Sequence, residues 1–477
     1  MPITLGTVLT AEGLLGYLGP NGWLNKTLHA LGLTDQPLQL VHNYWGVLAS
    51  LLITGFPFAY LLTLSYLTGI DPSLEQAAAT LGAGRWHRFR HITLPLLAPG
   101  LAITFCLSFV LAFAVFPSAQ LVGDPRGTTH VISIEAYQAA FQKFDYALGS
   151  TIAMVMAAVM LAVVAPGTGL AVAAVPRVDE RQGLMADVPR GPVGTDGAPT
   201  RARPWWRKPG NWAAALVFGF FFVNLAGVIG VPVADSFGTR WFTSWLPEGW
   251  TTRWYGEAWQ EFSLGQVFWT TALVSLLVVS VLLGVPAAYA LARRDFPGRK
   301  VVLLLFLLPI LVPPLTYGIP LATVLYKFQL AGTLTGVVLA NLVPSVPFVV
   351  LTMTPFIEQI DPRIEAAARM CGARTPSVLL RVLAPLLVPG ILAASVLVLV
   401  RTVGMFELTF LTAGPDSQTL VVALYYAVFS AGIRTQQSID AMAVMYTLSM
   451  LVLLVVALRF VNPTQLVTRV REERSQD

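Results

Sequence analysis

The chain has 477 residues, of which 55% are hydrophobic and 12% charged, with a formal net charge of +5. Its mean hydropathy is +0.68 and its pI is about 9.2. Because soluble domains carry roughly 25% charged residues, this composition excludes an ordinary soluble protein and indicates a membrane protein. The basic residues gather at the ends of apolar segments, so the high pI is not a nucleic-acid signal. The two cysteines have neither metal-binding nor disulfide spacing, so we expect both to be packing residues, Cys106 inside a span and Cys371 at the repeat position of Leu81.

Long apolar segments follow one another along the chain. A helix needs about 20 apolar residues to cross the hydrocarbon core, and these segments lack the alternation of a strand. We therefore predict an all-α polytopic membrane protein. The predicted spans are 45–68, 96–118, 148–173, 212–234, 266–292, 301–326, 333–357, 386–413 and 439–460, with 2–18 as a weaker tenth.

A polar segment divides the predicted spans into two groups. Residues 176–211 are rich in Pro, Gly and charge and show no apolar period, which predicts a flexible cytoplasmic linker. The linker separates a first unit, 1–175, from a second unit, 212–464, and residues 465–477 form a tail. Arg and Lys cluster on the loops around 85–90, 293–300 and 363–381 and near the C-terminus. By the positive-inside rule we therefore place these loops, the linker and the C-terminus in the cytoplasm.

Two polar passages interrupt the apolar pattern and repeat each other. "IDPSLEQAAATLGAGRWHRFRHITLPLLAPG" covers 70–100, and "IDPRIEAAARMCGARTPSVLLRVLAPLLVPG" covers 360–390, an offset of 290 residues. The register holds without gaps on both sides of the passages, which indicates a duplicated unit. In this register the first unit lacks counterparts of the spans 212–234 and 266–292. We therefore expect the first unit to be truncated at its N-terminus, with three to four spans against six.

Each passage predicts a short helix between two spans. Ala and Glu favour helix formation, Asp followed by Pro is typical of a helix start, and Gly ends a helix by taking a positive φ. The residues concerned are Asp71, Pro72 and Gly82 in the first copy and Asp361, Pro362 and Gly372 in the second. An amphipathic connector with no partner is the alternative for a single passage, and the second copy makes it less favoured.

The order Glu-Ala-Ala, a Gly seven residues after the Glu, and then Ile-x-Leu-Pro resembles the EAA signature of binding-protein-dependent ABC importer permeases. The first copy departs from it at Gln76 and the second at Val382 and Ala384. The resemblance implies the type I importer fold in two tandem units, fused as in the ferric-iron, thiamine and polyamine branches. It also implies contact with the ATPase through Glu75, Ala77, Ala78 and Gly82 in the first copy and Glu365, Ala366, Ala367 and Gly372 in the second.

The same resemblance implies a role and a set of partners. The chain would carry a small solute from an extracytoplasmic binding protein across the inner membrane, with two copies of a cytoplasmic ATPase, membrane lipid and no nucleic acid as further partners. We expect no catalytic residue, metal or cofactor in this chain, since the sequence has neither a phosphate loop nor a zinc signature. ATP hydrolysis is then left to separate chains, and this chain is not an enzyme.

Two other classes of membrane protein are considered beside the permease. An ion-coupled secondary transporter needs intramembrane acids near unwound helices, and the predicted spans contain few. An insertase-like protein gives no reason for two docking loops.

Two charged residues in the span 386–413 are candidates for the substrate path. A charge inside a span is costly and is a functional-site hypothesis by default. Arg401, at mid-span, either lines the path and attracts an anionic group, or pairs with an acid, or snorkels past a kink. Glu407 faces the path, the docked binding protein, or water near the outer end. Tyr425 and Tyr426 are interface anchors or substrate contacts. We predict polyamine or ferric iron as the substrate, ahead of thiamine or phosphonate.

Overall fold

The computed structural model describes residues 6–174, 209–239, 247–430 and 434–460. Over these residues the chain is helical and forms no strand. The helices before the predicted linker are α1 (Gly6–Leu18), α2 (Trp23–Ala30), α3 (Tyr44–Thr68), α4 (Pro72–Thr80), α5 (Arg85–Arg88), α6 (Leu94–Phe113), α7 (Pro117–Leu121), α8 (Ile132–Tyr137) and α9 (Tyr146–Ala174).

The helices from residue 209 onward, the first of which begins within the last residues of the predicted linker, follow in a similar order. They are α10 (Pro209–Ser236), α11 (Arg253–Glu261), α12 (Leu264–Leu277), α13 (Val281–Arg293), α14 (Arg299–Leu311), α15 (Pro314–Lys327), α16 (Leu334–Glu358), α17 (Pro362–Met370), α18 (Thr375–Val378), α19 (Ala384–Val403), α20 (Glu407–Thr412), α21 (Leu420–Phe429) and α22 (Gln436–Phe460). A short π-helical turn precedes α19 as it precedes α6.

Eight helical stretches in the described part of the chain are long and apolar enough to cross a membrane, or nine with one bent pair. They confirm the predicted all-α polytopic fold and match eight of the nine strong predictions in position. The stretches are Tyr44–Thr68, Arg85–Phe113, Tyr146–Pro166, Ala215–Ser236, Leu264–Arg293, Leu334–Glu358, Pro376–Val403 and Gln436–Val456.

One strong prediction, the span 301–326, is wrong as a single straight helix. The segment 301–326 is not one straight helix, because α14 and α15 meet at an angle of 100°. Pro309, Pro313 and Pro314 surround the break, and proline both removes a backbone donor and clashes with the preceding turn. Of the weaker candidate 2–18 the structure describes residues 6–18, which form the 13-residue α1; these residues give about 20 Å of helix, shorter than the bilayer core.

Two further spans end earlier than predicted. The helix expected over 96–118 stops at Phe113, and the one expected over 386–413 stops at Val403. In each case a short helix, α7 or α20, follows within a few residues. The break falls at the same register position in both copies. The residues at the break are apolar, so hydropathy alone does not predict the turn.

Contacts divide the chain into two compact units that do not coincide with the two halves of the repeat. One unit contains 1–54, 110–160 and 228–477, and the other contains 55–109 and 161–227. The larger unit has a core where α13, α16 and α19 meet. There Gly284 lets α13 approach α16 so closely that an added Cβ would lie 2.4 Å from Val349 Cγ1.

The repeated passages end in the same packing arrangement. In the smaller unit a Cβ on Gly100 would lie 2.3 Å from Cγ of the Tyr66 ring. In the larger unit a Cβ on Gly390 would lie 2.9 Å from Cγ of the Phe356 ring. The two glycines are 290 residues apart, and so are the two rings. In each copy an aromatic ring from the helix before the loop therefore packs against a glycine of the helix after it. Most of the predicted linker 176–211 and the tail 465–477 lie outside the described residues.

Candidate functional site

The first loop, residues 70–93, folds as the sequence predicts. Asp71 precedes α4, and its Oδ1 accepts the Ser73 N–H at 2.9 Å, a hydrogen bond that lowers the pKa of the Asp71 carboxyl. Pro72 is the first residue of the helix. At the other end Gly82 has φ +83°, and the Ala83 N–H donates to the Ala78 carbonyl at 3.0 Å. This left-handed glycine with a six-to-one hydrogen bond is a Schellman C-cap.

The second loop, residues 360–383, repeats this geometry. Asp361 Oδ1 accepts the Arg363 N–H at 2.8 Å, and Pro362 begins α17. Gly372 has φ +84°, and the Ala373 N–H donates to the Ala368 carbonyl at 3.1 Å. The predicted Asp cap, Pro start and Gly stop are therefore confirmed in both copies.

The two loops expose small and apolar side chains. Ala77, Ala366 and Ala367 are exposed and Ala78 is half-buried. Near the end of each helix stands a large apolar residue that nothing in the described chain covers, namely Leu81, 88% exposed, and Met370, 89% exposed.

The cysteine of the second loop differs from expectation. Cys371, which the sequence suggests is a packing residue, is exposed, because it caps α17 where the helix turns away. Cys106, within a span, is buried as expected.

The two glutamates of the repeated motif lie in different surroundings. Glu75 is exposed on α4, and its carboxylate accepts a hydrogen bond from Thr93. Glu365 is only 5% exposed and lies 2.8 Å from the guanidinium of Arg293. Sequence reasoning placed both glutamates in equivalent roles, since the motif itself is the same in both copies.

The predicted path residues lie close to a break in the helix. Arg401 is in the last turn of α19, nearer its end than the predicted mid-span position, and Glu407 begins α20. Both are half-buried. The Arg401 guanidinium lies 5.4 Å from the centroid of the Phe348 ring and makes no ion pair with any residue in the described ranges. Tyr317 interacts electrostatically with both charged groups, so the three residues share one neighbourhood.

Sequence reasoning missed an aromatic cluster in the larger unit. Phe116 and Phe406, which are counterparts in the repeat, stack with ring centroids 6.4 Å apart and planes 22° apart. They are 0% and 2% exposed, and Phe410 packs against both rings. Tyr425, left open as an anchor or a substrate contact, belongs to this cluster. The repeat register offered a signal for this cluster, because it aligns Phe116 with Phe406, and repeat counterparts that contact each other lie where the two copies meet.

Two buried acids also escaped the sequence analysis. Glu12 of α1 is 2% exposed and Asp440 of α22 is 3% exposed. Glu12 accepts a hydrogen bond from the side chain of Gln436. Because α1 is a weak span candidate and Asp440 lies close to the start of its span, the sequence pattern marks neither acid as an intramembrane charge.

Comparison with known families assigns the chain to a family of membrane transport components. The sequence pattern of the family described as "Binding-protein-dependent transport system inner membrane component" matches residues 11–180 and 280–463. The chain therefore belongs to this family, whose members are membrane components of transport systems and not enzymes. Two matched segments confirm the predicted pair of tandem units.

Three relatives illustrate the range of the family. The chain is 36% identical over 164 residues, 33% of this chain, to a "Probable molybdenum ABC transporter permease protein" of Haloferax volcanii. It is 29% identical over 161 residues, 34% of this chain, to a "Probable sulfate transport system permease protein" of Chlorella vulgaris. It is 22% identical over 414 residues, 84% of this chain, to the "Ferric transport system permease protein FbpB" of Actinobacillus pleuropneumoniae. The chain spans 61%, 59% and 56% of the lengths of these relatives.

Proposed function

We propose that this chain is a permease of an ABC importer and supplies both of its membrane halves. In this role it carries a small solute from an extracytoplasmic binding protein into the cytoplasm of the cell. The observation that carries the proposal is the pair of loops, 70–93 and 360–383, which share an Asp cap, a Pro start and a left-handed Gly stop. A duplicated loop of this precision is expected where two equivalent partner chains bind.

The exposed surface of the loops supports an ATPase as the partner. Each loop helix has a large, almost fully exposed apolar side chain near its end, at nearly the same place in both copies. These side chains are Leu81 and Met370, next to small exposed alanines that allow a close approach. A groove on a cytoplasmic ATPase fits this shape, and two copies of the ATPase match two loops. In this arrangement the loops, the linker and the C-terminus face the cytoplasm.

An ion-coupled secondary transporter is the less favoured candidate. It requires acids positioned at unwound helices inside the membrane. Glu12 and Asp440 are buried, but they lie within the helices α1 and α22 and not at unwound segments. Such a transporter also leaves both exposed loops without a role.

For the substrate we favour ferric iron over polyamine. The relative that matches 84% of this chain, across both tandem units, is by name a ferric transport permease. A polyamine is a cation that Arg401 would repel, since no carboxylate in the described ranges pairs with that guanidinium, whereas ferric iron carried as an iron–anion complex would tolerate it. A small oxyanion is the second candidate, because an unpaired guanidinium suits an anion and two relatives are named for molybdenum and sulfate.

The docking of the ATPase can be tested with a native thiol. The chain has two cysteines, of which Cys371 is exposed on the second loop and Cys106 is buried. We expect the ATPase encoded by the neighbouring gene to protect Cys371 from a maleimide reagent. For the first loop, Leu81→Cys in a Cys371→Ser background places a thiol at the matching register position, and it should be protected in the same way.

A pull-down gives the companion measurement. Wild-type permease should retain the ATPase, and Gly82→Asp combined with Gly372→Asp should lose it. If both thiols react at the same rate with and without the ATPase, and no ATPase is retained, the importer assignment fails.

The substrate is tested by uptake into proteoliposomes that contain the permease, the ATPase and the binding protein. Labelled ferric iron, molybdate, sulfate and putrescine are offered separately. Uptake of putrescine alone would contradict the proposal. Uptake of an oxyanion that Arg401→Gln weakens, while Arg459→Gln, a change at an exposed arginine near the end of α22, does not, would select the second candidate.

A further inference from the structure

Glu365 is held inside the protein by a network that reaches another helix. Its Oε1 lies 2.8 Å from Arg293 Nε at the end of α13, and its Oε2 accepts the hydroxyl of Tyr289, also on α13, at 2.8 Å. The Nε and Oε1 atoms are not aligned for a linear hydrogen bond, so this contact is ionic. Arg293 in turn donates to the backbone carbonyl of Ile360, at the start of the second loop.

A second arginine completes the network from within α17. Arg369 Nη2 donates to the Tyr289 hydroxyl at 3.1 Å and lies 3.9 Å from Glu365 Oε2. The Glu365 side chain is 7% exposed and that of Arg293 is 13% exposed, so the pair is shielded from water. A buried carboxylate that already has an ionic partner and a hydroxyl donor has little capacity left to reach a second protein.

The matching glutamate of the first loop has no such arrangement. Glu75 is exposed, and its carboxylate accepts from Thr93, which stands in the same loop. Arg88 Nη1 donates to the backbone carbonyl of Glu75, at 3.2 Å, and leaves its carboxylate free of this contact. In the second copy the register position of Thr93 holds Leu383, which cannot donate.

We propose that Glu365 is a positioning residue that ties α17 to α13, whereas Glu75 is the acid that faces the ATPase. This proposal rests on the proposed function. A displacement of α17 would then be passed through Glu365 to Arg293, and so to α13. From α13 it would reach α16, because the close contact at Gly284 leaves no space between these helices. The first loop would thus recognise the ATPase through the charge of Glu75, and the second loop would be connected rigidly to α13 through Glu365.

The ion pair is tested first without any partner. Thermal unfolding of the detergent-solubilised chain is measured for Glu365→Gln, Arg293→Gln and the double variant. Each single change leaves one buried charge without its nearest ionic partner and should lower the midpoint, whereas the double variant should be no less stable than the worse single variant. Glu358→Gln removes an exposed acid, 3.9 Å from Arg299, and serves as the matched control with an unchanged midpoint. Additive losses would overturn the ionic link.

The second measurement separates positioning from docking. For Glu365→Gln and Arg293→Gln we expect nearly unchanged affinity for the ATPase, with substrate-stimulated ATP hydrolysis reduced about five- to hundredfold, the range of typical coupling between sites. The double variant should lose no more than the worse single variant. Glu75→Gln should instead weaken the affinity for the ATPase.

Two results are decisive against the proposal. One is loss of ATPase affinity in Glu365→Gln while Arg293→Gln behaves as wild type, which would make Glu365 a docking residue. The other is multiplied losses of ATP hydrolysis in the double variant. Failure of the wild-type chain to bind the ATPase at all would refute the proposed function, and the unfolding cycle would still decide whether the ionic link exists.

Discussion

The left-handed glycine that ends each loop helix offers a sharp test, because its surroundings isolate a single physical effect. Gly82 has φ +83°, and a Cβ added there would meet no atom within 4 Å. Gly82→Ala therefore introduces no clash, and its only cost is the left-handed backbone. For a residue with a Cβ that cost is about 1–2 kcal/mol.

An exposed loop can relax out of this strained conformation when it is free and must recover it to dock. The strain then appears in the binding of the ATPase. At 25 °C about 1–2 kcal/mol corresponds to an affinity that is about five- to thirtyfold weaker. Gly82→Asn should lose less than Gly82→Ala, because asparagine tolerates the left-handed region better.

Gly84 supplies the control two residues further on. It has φ −64°, an added Cβ would again meet nothing within 4 Å, and the second copy carries Arg374 at this position. Gly84→Ala should bind the ATPase like the wild type in a titration with purified subunits. Equal losses in Gly84→Ala and Gly82→Ala, or no loss in Gly82→Ala, would refute the reasoning.

Three further predictions concern packing, closure and pH. Gly390→Ala should be about 1–3 kcal/mol less stable in thermal unfolding than Gly55→Ala, since a Cβ at 390 meets a ring at 2.9 Å and one at 55 meets nothing; equal midpoints would contradict this. The double variant Phe116→Ala with Phe406→Ala should let solute leak into proteoliposomes without ATP, because removing two stacked, buried rings leaves a gap where the two copies of the repeat meet. Vesicles that stay tight would contradict this prediction. Hydrogen bonds to a backbone carbonyl and a carboxylate raise the pKa of His130, so its stabilising contribution, relative to His130→Gln, should be full below pH of about 6.5 and decline as pH rises through the folded pKa; a constant difference would refute it.

Much of the local structure of the two loops could be predicted from the sequence. The Asp cap, the Pro start and the left-handed Gly depend on neighbours within a few residues, and all three occur in both copies. Hydropathy located eight of the spans. This signal is also local, because a helix that crosses lipid makes all its backbone hydrogen bonds within one continuous segment. The break between α14 and α15 also has a local cause, because three prolines lie around it within the apolar run.

The different fates of Glu75 and Glu365 could not be predicted in this way. The two acids share a motif, a register and a position on the helix, so any local rule treats them alike. What separates them is whether a basic residue from a distant helix reaches the site. Arg293 is 72 positions before Glu365 in the chain, and only the packing of α13 brings it to 2.8 Å.

The sequence alone determined that this is a duplicated, all-helical membrane protein with two short capped helices between spans, because periodicity, hydropathy and capping are written in neighbouring residues. Tertiary structure alone decided which charges find partners. It brought Phe116 onto Phe406 and buried Glu365 against Arg293, yet left Arg401 without an acid among the described residues. The free energy of a charge or a ring inside a membrane protein depends on what the fold places beside it, and contacts over such sequence separations are not encoded in any local pattern.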